Sequence, residues 1–140
     1  MKSILINIDD WLSVEDLTRT VSNLVSIQSE ELKVTLLKSY LVGCVDTENA
    51  VEENDRIKLQ TMKQLGLYEA SLLKSIIKTK VTIDKKVKMG SIINVIPRII
   101  EKDDYDILLL NEGSRGLIDF FQRYLSDRPK KSPFIVIGKQ

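Results

Sequence analysis

Two short segments, residues 4–8 and 107–110, are apolar at almost every position and rich in branched side chains. Successive side chains of a strand point to opposite faces of its sheet, so such a run is stable only where both faces are covered. That excludes a half-exposed antiparallel sheet for these segments and predicts a parallel sheet between layers of helices.

The rest of the chain supplies those layers. Ser13 is a good N-cap residue, with Asp16 three positions on as a capping-box partner, and Val14, Leu17, Val21, Leu24 and Val25 fall on one helical face. Residues 32–42 return to strand character. The acidic stretch 46–55 lacks periodicity and reads as a loop, after which Asn54 or Asp55 caps a long helix through Met62, Leu65, Leu72, Leu73 and Ile76. Val81, Ile83, Val87 and Met89 alternate with polar residues, and Lys85 falls on their apolar face, a device that guards an unpaired sheet edge. Ser91 opens a helix bearing Ile92, Ile96, Ile99 and Ile100, in which Pro97 predicts a kink or a late start. Leu117, Phe120, Phe121, Tyr124 and Leu125 form the stripe of a last helix that Pro129 ends, and residues 134–137 make a final strand. The alternation predicts an α/β fold: residues 1–140 as one three-layer, doubly wound domain with a five-stranded parallel sheet and right-handed crossovers.

Composition narrows the chemistry. The chain has 140 residues, a net charge of +1, one cysteine (Cys44) and no histidine. Histidine-based catalysis, a Cys/His zinc site and a disulfide within the chain are excluded. Residues 1–10 are too short and too soon acidic for a signal peptide, and no apolar run reaches the ~18 residues of a membrane span, so a cytoplasmic protein is expected. The lysine-rich stretch from Lys74 to Lys88 lacks interleaved aromatics and reads as a solvated face rather than a nucleic-acid surface.

In a doubly wound sheet, ligands bind beyond the carboxyl ends of the strands where strand order reverses. If the two most apolar strands are neighbours, Asp9 and Asp10 share a crevice with Gly113, Ser114, Arg115 and Gly116. The glycines allow a tight turn and close approach, the first amides of the following helix favour an anion, and Arg115 adds a charge-assisted contact. The plainer alternative is a tight turn in which Gly116 only caps a helix, with Asp9 and Asp10 ending a strand. Trp11 and Tyr40 read either as covers for a base or as roofing of a core edge.

The order Gly90-Ser91-Ile92, Ile99-Ile100, Asp106-Ile107-Leu108-Leu109-Leu110, Gly113-Ser114-Arg115-Gly116 and Pro133-Phe134-Ile135-Val136-Ile137 resembles the second half of a universal stress protein, and residues 4–9 resemble that family's first strand. The resemblance implies strand order 3-2-1-4-5, a role in stress response, no catalysis, and a homodimer through Phe134 to Ile137. Some members bind ATP or AMP and others do not, so no cofactor is required. In binders, Asp9 contacts the nucleotide, Leu41 and Val42 line the base pocket, and Gly90 ends the third strand. The family's phosphate motif is G-x2-G-x9-G-[S/T]. Here Gly113 and Gly116 supply its first half, but Ser126 and Asp127 stand where Gly-Ser/Thr is wanted, Asn111-Glu112 are additional, and the distance from Gly116 to Pro133 is short. A carboxylate at Glu112 would repel phosphate. These departures predict a degenerate nucleotide site. A phosphoacceptor receiver domain shares the topology and an acidic pair such as Asp9-Asp10, but the strand that should carry its phosphoacceptor ends in Asn111, about a hundred residues on. A nucleotide hydrolase or transferase lacks a general base and a P-loop lysine here.

Overall fold

A computed structural model of the chain describes residues 2–9, 12–27, 31–41, 50–75, 81–111, 115–128 and 133–138. Strands and helices alternate as β1 (Lys2–Asn7), α1 (Val14–Ile27), β2 (Leu32–Tyr40), α2 (Ala50–Ser75), β3 (Val81–Met89), α3 (Ile92–Lys102), β4 (Ile107–Asn111), α4 (Arg115–Ser126) and β5 (Phe134–Gly138). The sheet runs β3-β2-β1-β4-β5, and every neighbouring pair is parallel.

The two apolar strands sit where full burial is available. Ile4, Ile6 and Ile8 pack on one face with Leu17 and Val21 of α1 and Leu65 and Leu72 of α2. Leu5, Leu108 and Leu110 pack on the other with Val95, Ile96, Ile99 and Ile100 of α3 and Ile118, Phe121 and Leu125 of α4. Each fully buried aliphatic side chain contributes roughly 1.5–3 kcal/mol, so these two half-cores hold the layers together. At the amino ends of the strands Asp106 fixes β4 against β1: its carboxylate accepts the Ser3 amide at 2.9 Å, and its own amide donates to the Ser3 carbonyl at 2.8 Å.

Ser13 caps α1 as its spacing predicts, its Oγ accepting the Asp16 amide at 3.1 Å, while the Asp16 carboxylate pairs with Arg19. β3 is hydrogen-bonded only to β2 among the described strands, and inward Lys85 is neutralised by Glu69 of α2 at 3.1 Å.

The structure corrects some local expectations and refines others. α2 begins at Ala50, so the part of the acidic stretch from Ala50 to Asp55 is helix and neither Asn54 nor Asp55 is its cap. Glu52 and Glu53 sit in its first turn, where carboxylates complement the helix dipole, and Glu53 pairs with Arg56. α3 starts at Ile92 with Pro97 inside it, so there is no late start; four buried apolar residues outweigh the ~3 kcal/mol that an interior proline costs. Ser91 is the N-cap residue but its hydroxyl makes no capping bond; its carbonyl accepts the Asn94 and Val95 amides at 2.9 and 3.0 Å instead. α4 begins at Arg115, which places Gly116 in a helical turn rather than a loop, and buries Ile118 where the stripe predicts Phe120, which is exposed and edge-on to Phe121. Asp10, Trp11, Val42, Cys44, residues 46–49, Ile76, Lys78, Lys80, Glu112, Gly113, Ser114 and Pro129 lie outside the described residues. No helix among the described residues is long and apolar enough to cross a membrane.

Candidate functional site

The connections from β1 lead to β2 on one side, whereas β4 lies on its other side, so strand order reverses between β1 and β4. Ile6 is level with Leu109, which brings the residues following β1 beside the end of β4. Asp9 leaves β1 at this point. Its carbonyl accepts the Leu12 amide at 3.4 Å, and the carbonyl of buried Leu12 accepts the Tyr68 hydroxyl, so α2 holds down the turn that carries Asp9.

The side chain that meets Asp9 is Asn111, the last residue of β4. Its Nδ2 donates to Asp9 Oδ1 at 3.3 Å across 102 positions of sequence. Asn111 is completely buried, and its Oδ1 has no hydrogen-bond partner among the described residues. A buried amide tolerates this at a cost of about 1–3 kcal/mol for the orphaned acceptor. Nothing in its sequence context marks Asn111 as a partner of Asp9; the pairing exists only once β1 and β4 are adjacent.

The amino end of α4 stands near the same end of the sheet, because Arg115 and Gly116 follow β4 by four and five positions. A Cβ built on Gly116 would meet no atom within 4 Å, so packing does not require glycine here. Nor is Gly116 a C-terminal cap, since it lies in the first turn of its helix.

The other residues implicated by sequence are dispersed. Ser126 ends α4, and its Oγ donates to the Gln122 carbonyl at 2.7 Å. Ten residues of helix rise about 15 Å, so Gly116 and Ser126 are at opposite ends of one rod. Leu41 lies just past β2 and is 71% exposed. Gly90 follows edge strand β3, two strands and roughly 10 Å from β1. There it adopts φ of +124°, a conformation that favours glycine, while its amide donates to the Tyr40 carbonyl at 2.9 Å. Tyr40 packs against the α1–α2 half-core and gives its hydroxyl to Asn54 Oδ1 at 2.9 Å, which is the roofing role.

No family model matches this chain, and no curated protein does. Solved structures do match along almost its whole length. The universal stress protein UspA from Lactobacillus plantarum superposes with a TM-score of 0.65 at 8% identity, covering 98% of this chain and 97% of that one. A universal stress protein in complex with cAMP gives 0.62 at 11% identity, covering 99% and 96%. An Arabidopsis thaliana universal stress protein family protein with AMP bound gives 0.61 at 16% identity, covering 100% and 92%. The alternating helices and parallel sheet are the fold of the universal stress proteins.

Proposed function

We propose that this protein is a non-catalytic regulator of the universal stress type, acting as a homodimer in the cytoplasm, with a degenerate phosphate site in its β1–β4 crevice. The observation that carries the proposal is the separation of Gly116 and Ser126. The phosphate motif needs both halves around one phosphate chain, and here they are spaced by the full length of α4. A second observation points the same way. The Asp9 carboxylate that would receive a nucleotide already accepts the Asn111 amide, so a ligand has to displace or share that bond. Non-catalytic action is supported by the absence of histidine from the chain.

One feature favours a second reading, in which AMP or ATP is held at this crevice. Gly116 leaves bare backbone at a helix amino end without any packing need for glycine, and such a position lets a phosphate approach closely. Structures of this fold carrying AMP and cAMP make an adenine nucleotide the ligand to test.

Thermal unfolding with ATP decides between the two. A ligand at 100 times its Kd stabilises by ~2.7 kcal/mol, on the order of 10 °C in Tm for a domain of this size. The expected result is a shift of less than about 1 °C at millimolar ATP, set against that scale. A clear rise that Asp9→Ala or Gly116→Val abolishes would establish the second reading instead.

A further inference from the structure

Away from the crevice, a cavity of about 190 Å³ opens between the carboxyl half of β3 and the flank of α3. Its floor is apolar, formed by buried Val95 and Ile99. Its walls carry four cations, Lys86 and Lys88 from β3 and Arg98 and Lys102 from α3. Asp103 is the lining carboxylate, and it is engaged by Lys86 at 3.2 Å. Among the described residues, none of Lys88, Arg98 and Lys102 forms an ion pair.

The rest of the fold explains only part of this concentration of charge. The chain as a whole has a net charge of only +1. Lysines on an edge strand discourage strand pairing, which accounts for Lys86 and Lys88. Lys102 stands in the last turn of α3, where a cation complements the helix dipole, but neither device accounts for Arg98, which lies four positions before Lys102, a like-charge spacing that weakens the helix. The β2 residues level with Lys86 and Lys88 are Leu37 and Ser39, so no carboxylate faces them across the sheet. Three such cations around an apolar floor form a surface complementary to a compact, multiply charged anion with an apolar body.

We propose that the β3–α3 cavity is a binding site for a small organic phosphate. Arg98 and Lys102 from one wall and Lys88 from the other contact the phosphate oxygens, and Val95 and Ile99 support the apolar part. Arginine suits this role because its planar fork matches phosphate geometry. The site is separate from the Asp9–Asn111 crevice, so it would give a protein with a degenerate nucleotide site its own effector.

The test is a two-dimensional amide NMR titration of the full chain with phenyl phosphate at ~100 mM salt, where surface charge is screened beyond about 10 Å. The expected result is saturable shifts confined to β3 residues 86–89 and α3 residues 95–103, with affinity weakened about fivefold by Arg98→Gln and by Lys102→Gln. Inorganic phosphate, run in parallel, is expected to move the cationic residues without moving Val95 and Ile99. Shifts that do not saturate, that scatter over the lysine-rich surface, that centre on Asp9 and Asn111, or that are unchanged in both variants would overturn the proposal. Both variants alter side chains that line an open cavity, so an unchanged amide spectrum away from it verifies that the fold is retained.

Discussion

Asn111 and Asp9 show how much a single side chain's meaning depends on its neighbours. Asp9 is a candidate in the sequence because it ends a buried strand where strand order is expected to reverse, although a strand-ending aspartate can equally serve to orient a turn. Asn111 is not, since its partner is 102 positions away and appears only when β1 and β4 pair. Asp106 is the converse case: the residue that helps mark the resemblance is a fastener between β4 and β1. At this scale one titration is informative. The Tyr124 hydroxyl donates to Glu101 Oε1 at 3.1 Å, and Glu101 also pairs with Arg128. Burial, followed by that hydrogen bond to a carboxylate, raises the pKa of Tyr124 above its ordinary value. A raised pKa in the folded state means the contribution is fully present below about pH 10 and is lost as pH rises through the folded value, because the unfolded chain releases its proton first. Melting curves between about pH 9 and pH 11 should therefore fall more steeply for the natural chain than for Tyr124→Phe. Parallel curves would mean that the bond to Glu101 does not hold the phenol proton.

Helices and strands are legible in the sequence wherever burial enforces a period. The α1 face, three of the four buried residues of α3 and the alternation of β3 follow from the spacing of apolar residues, whereas Val95 takes the fourth buried place in α3 and Ile92, which the spacing predicts there, is only half-buried. Boundaries are less legible, because charge decides them as much as hydrophobicity does. The start of α2 reads as loop from its acidic composition, yet carboxylates in a first turn stabilise a helix. In α4 the buried face is centred on Ile118, Phe121 and Leu125, an i, i+3, i+7 set, and Phe120 lies outside it, which the aromatic stripe obscures because several faces of this helix carry apolar residues. Gly66 gives the prediction at this scale. It lies within α2 without a positive φ, and a methyl group added there would meet no atom within 4 Å, so glycine gains nothing. Gly66→Ala should raise stability by about 0.5–1 kcal/mol in a urea or thermal melt. A loss of stability would show that α2 needs flexibility at its centre.

The whole molecule is the scale at which the sequence is most informative. Two doubly buried strands and the helices between them require a parallel sheet, and the same two strands lie side by side with the order reversing between them. The location of the crevice follows from this topology alone. What it holds does not follow, because phosphate recognition depends on a few backbone and side-chain groups converging, and α4 keeps Gly116 and Ser126 apart. This chain is thus proposed to be a dimeric regulator that keeps this fold without taking a nucleotide in the crevice. Native mass spectrometry of the purified chain tests this most directly, since it reads subunit number and bound small molecules together. The expected species is a dimer of two polypeptides with no nucleotide held through Asp9. A species carrying the additional mass of AMP or ATP per subunit, lost in Asp9→Ala but kept in Arg98→Gln, would contradict it.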